Sequence, residues 1–184
     1  RLFVEAGLPP GCFNVVTGLG PTTGKALAEH PGLAKWVLTG GTEAGRITGA
    51  AAGKNFAHQT LELGGKSPNV FFADVCAKDD AFFDKALEGF ALFALNQGEV
   101  CTAPSRALIQ ESIYDRFITG FAERTKKVVT GDGLADATRM GPLANARRPG
   151  AIEALVEDAR AKGARVMAGG ERGDGGFFFQ PTLL

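Results

Sequence analysis

Two short stretches of the sequence set reactive side chains among glycines. In Leu61-Glu62-Leu63-Gly64-Gly65-Lys66-Ser67-Pro68 a carboxyl stands between two leucines at the end of an apolar, strand-like run. Burial there would raise the Glu62 carboxyl from ~4.3 towards the range useful to a general base. An ion pair with Lys66 or another cation accounts for the same pattern. In Asn96-Gln97-Gly98-Glu99-Val100-Cys101-Thr102 a cysteine follows a helix break. Free N–H groups or a following helix start at such a place hold a thiolate below its ~8.5 reference. The competing reading of Cys101 is an inert buried thiol, since free cysteines behave as small hydrophobes. Cys12 and Cys76 are assigned to structure.

Two glycine turns precede these stretches. Gly40-Gly41-Thr42-x-x-Gly45 lies between a strand and a helix, where uncapped N–H groups and the helix dipole suit a phosphate and glycines let the backbone approach closely. Gly18-x-Gly20-x-x-x-Gly24 is similar to a dinucleotide fingerprint, but its last gap is one residue too long for GxGxxG. No acidic residue ends the next strand to hold a ribose. Tight strand-to-helix turns explain both without a ligand. If both join successive strands to helices, they share one rim of a parallel sheet.

Other arrangements fail. The only histidines, His30 and His58, flank Pro31 and begin a strand, so no oriented imidazole serves a thiol or hydroxyl nucleophile. No CxxC or HxxxH occurs, which argues against a metal site. The Asp79-Asp80 pair reads as a helix N-terminal charge set.

The elements that must position these residues alternate. Strands are expected at 14–17, 35–39, 58–63 and 69–73, with helices at 21–30 and from the 40–45 turn to about 53. Trp36, Val37 and Leu38 form a buried-looking run. This βαβαβ order favours a parallel sheet flanked by helices. A long helix is expected from 79 to about 96. Its Phe82, Phe83, Ala86, Phe90, Phe93, Ala94 and Leu95 cover too much of its surface for open water. A strand at 106–110 follows, then a helix capped by Ser112 and running to about 129. A loop-rich stretch leads to a helix over 150–162 that Gly163 ends. A strand at 164–168 and an extended 177–182 close the chain.

Composition bounds the answer. With 184 residues, 45% hydrophobic and 22% charged, the chain can bury a core. Its 26 glycines are about twice the ~7% share of ordinary proteins. A formal net charge of zero argues against nucleic acid or an anionic membrane as partner. No apolar run approaches the ~20 residues of a membrane span. Three sparse cysteines do not make a disulfide framework, so a reducing, cytoplasmic compartment is expected. Residues 1–11 lack the features of a signal peptide, and without an initiator Met a segment of a longer gene product is expected.

Taken together and in this order, the four motifs resemble the aldehyde dehydrogenase superfamily. The likeness runs from Glu5-Ala6-Gly7-Leu8-Pro9-Pro10-Gly11 to Phe179-Gln180-Pro181-Thr182, and the pair at 61–68 and 96–102 is its most specific part. The resemblance implies NAD or NADP as cofactor and a small-molecule aldehyde as substrate. Cys101 would attack the aldehyde carbon and Glu62 would activate the water that hydrolyses the resulting thioester. The Cys101 N–H would form part of an oxyanion hole. Gly40, Gly41, Thr42 and Gly45 match the pyrophosphate-facing turn, Gly20 and Gly24 the adenine-side turn, and Leu63 the position beside the nicotinamide. A variant Rossmann mode of binding explains the fingerprint's odd spacing.

The implied fold class is α/β: residues 1–62 are the C-terminal part of a Rossmann-like nucleotide-binding domain, and 63–184 an incomplete α/β catalytic domain. Full-length members imply a homo-oligomer, dimer or tetramer. Two departures stand out. Gly41 replaces a common Ser, and Glu99 replaces a common Gln and brings a carboxylate near the thiol, which opposes thiolate formation if close and ionised. Family subunits are much longer, so the isolated chain is expected to be inactive. Alternatives are a CoA-acylating member, disfavoured by the presence of Glu62, a non-catalytic scaffold of the same fold, and a plain nucleotide-binding module. The identity of the aldehyde and the choice between NAD and NADP are not legible.

Overall fold

A computed structural model describes residues 1–78 and 80–184. Asp79, the expected first residue of the long helix and half of the acidic pair, lies outside the described residues. The chain divides into two compact units, Arg1–Gly64 and Gly65–Leu184. The fold is α/β, with parallel strand pairs in both units.

The first unit begins with one helical turn, α1 (Leu2–Glu5). A wide π-type turn at Gly20–Gly24 leads into the short α2 (Lys25–Ala28). Strand β1 (Lys35–Thr39), helix α3 (Thr42–Lys54) and strand β2 (His58–Glu62) follow. The strands pair in parallel from Lys35↔His58 to Thr39↔Glu62, as a strand–helix–strand crossover requires. The helix buries Gly45, Gly49 and Ala52. Lacking bulk, this stripe lets the helix backbone approach β2 so closely that Gln59 Nε2 donates to the Gly49 carbonyl at 2.9 Å. Trp36 Nε1 donates to Thr48 Oγ1 at 3.2 Å and fastens β1 to the same helix.

Three expectations fail in this unit. Residues 14–17 form no strand, because no strand among the described residues pairs with them and β-branching alone does not make a sheet. The 36–38 run is not buried: Trp36 and Leu38 are half-buried and Val37 is 58% exposed, because α3 covers only one face of the strand pair. Cys12 is exposed rather than structural.

In the second unit, β3 (Pro68–Phe71) pairs in parallel with β4 (Arg106–Ile109). Pro68 is tolerated as the first residue of its strand, where its missing N–H is least needed. Helix α4 (Ala81–Ala91) is capped by Asp80, whose Oδ1 accepts from Phe82 N at 2.9 Å and Phe83 N at 3.3 Å. Helix α5 (Tyr114–Lys126) lies against α4. Between them runs a phenylalanine core: Phe71 on Phe117 at 4.3 Å and Phe90 on Phe121 at 4.4 Å between ring centroids. Phe117 and Phe121 are fully buried, and Cys76 is buried at the edge of the same cluster. A third helix, α6 (Arg147–Ala161), packs Val156 against Leu143 and Phe179.

Here too the structure corrects the pattern. Helix α4 buries only Phe83, Leu87 and Phe90 and leaves Phe82 61% exposed, and Leu95, expected on the same helix, lies beyond its end and is 58% exposed. The helix stops at Ala91, and Leu92–Gly98 starts as a 3-10 turn that leaves helical geometry at Leu95. Ser112 does not cap α5: a 3-10 turn, Glu111–Ile113, runs straight into it, with no side-chain cap. Helix α6 starts three residues before the expected Gly150, since Pro149 fits a first turn that needs no N–H from it. The strand at 164–168 reduces to an antiparallel bridge, Ala168↔Leu183.

Candidate functional site

The candidate residues fall into two groups, one in each unit. In the first unit, the C-terminal ends of β1 and β2 meet the N-terminus of α3. Gly40 N donates to the Glu62 carbonyl at 3.0 Å, so the β1 exit and the base candidate are joined through the backbone. Gly41 is the N-cap of α3, in extended conformation, and no side chain caps the helix. A Cβ on Gly41 would meet nothing within 4 Å, so the space before these uncapped N–H groups is open. An uncapped helix start beside an open glycine turn fits a diphosphate. The acidic residue of the first turn, Glu43, is paired with Arg46.

Gly45 packs closely against the loop after β2. A Cβ on it would lie 2.6 Å from Leu63 Cδ2. The structure therefore brings Gly40, Gly41, Thr42, Gly45, Glu62 and Leu63 to one rim. Gly20 and Gly24 belong to a separate turn, where the N–H groups of Thr22, Thr23 and Gly24 converge on the Leu19 carbonyl. No hydrogen bond among the described residues links that turn to the rim, and the absence of a strand at 14–17 removes the shared-rim argument for it. Glu62 itself is exposed, with no side-chain partner among the described residues of its unit. Neither the desolvation expected from its flanking leucines nor a pairing within the unit is present, because the two-stranded sheet offers no cover at its end.

In the second unit, Cys101 is exposed on a turn, Val100–Ala103, closed by Ala103 N donating to the Val100 carbonyl at 3.1 Å. No helix starts after it, so the expected help from a helix N-terminus is lacking. Cys76, by contrast, is buried, and burial pushes its thiol above the ordinary value despite the opposing Arg116 charge. Of the thiols, Cys101 and Cys12 are open to reagents and Cys76 is not.

The turn ahead of Cys101 is strained. Asn96, Gln97 and Gly98 adopt left-handed backbone angles, with φ of 49°, 59° and 71°. For the two non-glycine residues this costs of order 1–2 kcal/mol each. The geometry lifts the chain out of the helical path and projects Glu99-Val100-Cys101. Glu99 does not hang free beside the thiol: its Oε2 accepts from Ala144 N at 3.1 Å, and its Oε1 lies 3.5 Å from Arg148 Nε.

Sequence reasoning missed two supports. A Cβ on Gly65 would stand 2.9 Å from the Cys101 carbonyl oxygen, so the second glycine of the pair is where the Cys101 loop presses on the chain before β3. Arg106 clamps the adjacent Lys66 carbonyl with Nε at 3.0 Å and Nη2 at 2.6 Å. The Gly64-Gly65 doublet was the available signal for the first; nothing local marked the second. Among the described residues no cluster of His, Cys, Asp or Glu could hold a metal ion, and no helix is long and apolar enough to cross a membrane.

Comparison with known proteins adds to this geometry. The model of the aldehyde dehydrogenase family matches residues 1–184. Acetaldehyde dehydrogenase 2 of Cupriavidus necator is 52% identical over 96% of the chain and 36% of its own length. Betaine aldehyde dehydrogenase of Staphylococcus aureus, crystallised in complex with NAD+, superposes with a TM-score of 0.87 at 36% identity, covering 98% of the chain and 36% of that structure. An NADP-dependent enzyme of E. coli gives a TM-score of 0.86 at 39% identity, covering 98% and 37%. The chain thus spans about a third of the length of the relatives it matches.

Proposed function

Since the chain belongs to the aldehyde dehydrogenase family, we propose that the protein carrying it oxidises a small-molecule aldehyde to a carboxylic acid with NAD+ or NADP+. The observation that carries this reading is the exposed Cys101 thiol, projected by a left-handed turn and backed by Gly65, within a chain that matches the family throughout. The first unit is the nucleotide-binding part and the second the thiol-bearing part. The NAD+ complex of the S. aureus relative and the NADP dependence of the E. coli one leave both dinucleotides within the proposal.

The α3 N-terminus with Gly40, Gly41, Thr42 and Gly45 would hold the diphosphate, and Leu63 would border the nicotinamide. When bound, the dinucleotide accepts the hydride that leaves the aldehyde carbon. Cys101 Sγ, as thiolate, forms a bond to that carbon, and the carbonyl oxygen takes the charge beside the Cys101 N–H. Loss of hydride converts this thiohemiacetal to a thioester. Glu62 then removes a proton from water, the hydroxide oxygen adds to the thioester carbon, and the thiolate leaves as the carboxylic acid forms. Arg148 close to Glu99 Oε1 offsets the carboxylate nearest in sequence to the thiol. The full-length protein is a soluble homo-oligomer of the cytoplasm on this reading. The 184-residue chain alone does not turn over, because it covers only 36% of the length of a relative.

Substitutions in the full-length enzyme test the assignment. Cys101→Ala abolishes formation of NAD(P)H. Glu62→Gln keeps a first-turnover burst of NAD(P)H and loses steady-state turnover. Equal loss of burst and turnover in Glu62→Gln removes Glu62 as the deacylation base. Acyl-CoA in place of free acid as product assigns the enzyme to acyl transfer, and retained turnover in Cys101→Ala removes the thiol mechanism.

A further inference from the structure

We infer that Gln97 and Glu99 are positioning residues that fix the nucleophile loop by anchoring it to the backbone of residues 141–144. The inference rests on the reading of Cys101 as nucleophile.

The loop cannot hold itself. Asn96, Gln97 and Gly98 are left-handed in succession, a conformation that relaxes unless the surroundings over-determine it. Within the turn, the local bonds run only between its own residues: Asn96 Nδ2 donates to the Glu99 carbonyl at 3.3 Å, and Glu99 N to the Asn96 carbonyl at 2.9 Å. The ties that fasten it to other parts of the unit come from a segment more than forty residues downstream. With the Gln97 amide oriented by its partners, Oε1 accepts from Gly141 N at 3.0 Å and Nε2 donates to the Asn96 carbonyl at 2.9 Å. Glu99 Oε2 accepts from Ala144 N at 3.1 Å, a charge-assisted bond.

The two side chains alternate along the loop and take two N–H groups of the same downstream segment. Between those groups, Pro142 has no N–H to offer and Leu143 N donates to the Phe177 carbonyl at 2.9 Å. That last bond ties the segment to the Phe179 region of the small cluster around Val156. A Cβ on Gly141 would lie 2.9 Å from the amide end of Gln97, which marks how closely that side chain approaches the segment. Gly65 also presses on the Cys101 carbonyl. The loop is therefore held by one backbone contact and by two side-chain anchors. Glu99 Oε1 is buried and has no hydrogen bond, only Arg148 Nε at 3.5 Å. Because that guanidinium is 58% exposed, the anchor depends on the Ala144 N–H more than on the ion pair.

The three cysteines make the test self-controlled in the 184-residue chain. Iodoacetamide labelling is resolved by peptide mass spectrometry: Cys101 reports the loop, exposed Cys12 the intrinsic rate, and buried Cys76 the integrity of the second unit. In the unsubstituted chain Cys101 labels faster than Cys12. Gln97→Ala and Glu99→Ala each lower the Cys101 rate about threefold or more relative to Cys12, with Cys76 still protected. Glu99→Gln keeps an acceptor for Ala144 N and stays within about twofold of the unsubstituted rate. An unchanged Cys101 rate in both alanine variants overturns the inference. So does a Glu99→Gln variant as slow as Glu99→Ala, which would make the charge rather than the anchor decisive. Labelling of Cys76 in step with Cys101 also overturns it, since the residues would then serve stability. If Cys101 of the unsubstituted chain is no faster than Cys12, the nucleophile reading itself falls; a fast Cys101 with unresponsive variants removes the anchors alone.

Discussion

A Cβ atom placed on Gly65 would stand 2.9 Å from the carbonyl oxygen of Cys101. A backbone oxygen cannot swing aside as a side-chain end can, so either the Cys101 turn or the chain entering β3 must move. Gly65→Ala is expected to cost about 1–3 kcal/mol, the range for overpacking a fixed contact. Urea unfolding of the chain measures it, and Cys101 labelling reports the displacement. A midpoint and a labelling rate both unchanged would show that the contact has slack.

Cys76 makes the second unit sensitive to alkali. Burial raises its thiol above the ordinary value in the folded chain, while the unfolded chain keeps the ordinary value. As pH rises through the ordinary thiol value, ~8.5, the unfolded state loses the proton first. Stability that is fully present below that pH is then lost until the folded-state value is passed. Cys76→Ala removes this slope. Urea unfolding of both proteins between about pH 8 and pH 10.5 should show their stability difference shrinking with pH; a difference constant across that window would contradict the burial effect.

Much of the framework was legible because local patterns and tertiary needs agree there. Strand β1 and the start of α3 sit where the apolar run and the Gly40-Gly41 turn place them. Helix α4 begins where a cap was available, in Asp80. The misses have a common cause: the sequence signal named a propensity whose realisation depends on a partner. Residues 14–17 have strand character and no strand to pair with, and 164–168 finds only a bridge to Leu183. Phe82 was counted as core because α4 is rich in aromatics, yet a helix buries one stripe and Phe82 is on the other.

The candidate site was legible as residue types and not as environment. Glu62 was expected to be buried from its neighbours Leu61 and Leu63; the side chains of a strand end are covered only if another layer lies over them, and Glu62 is exposed. The left-handed turn at 96–98 was invisible, since only one of its three residues is glycine. The Glu99 bond to Ala144 N spans a separation that no local pattern encodes.

The cap on α4 can be weighed alone. Asp80 Oδ1 takes two N–H groups of the first turn, and the same carboxylate favours the positive end of the helix. Asp80→Ala should destabilise the second unit by about 1 kcal/mol, and Asp80→Asn should recover most of that. Urea midpoints of the two variants decide it; equal losses would mean that the charge and not the cap is what matters.

Gly45 separates helix stability from the proposed cofactor contact. A Cβ there would lie 2.6 Å and 2.7 Å from the two Leu63 methyl carbons, which are the ends of a flexible, half-buried side chain. Leu63 can rotate away, and alanine in place of glycine adds up to about 1 kcal/mol to helix α3. Gly45→Ala should therefore leave stability within about 1 kcal/mol of the original, by thermal unfolding. The displaced Leu63 should weaken dinucleotide binding by the full-length protein, read by titration of cofactor fluorescence. Gly49→Ala is the control: its Cβ meets Gln59 and Leu61 rather than Leu63, so it probes the same helix without touching the proposed nicotinamide side. Equal effects of both substitutions on binding would remove Leu63 from the cofactor contact.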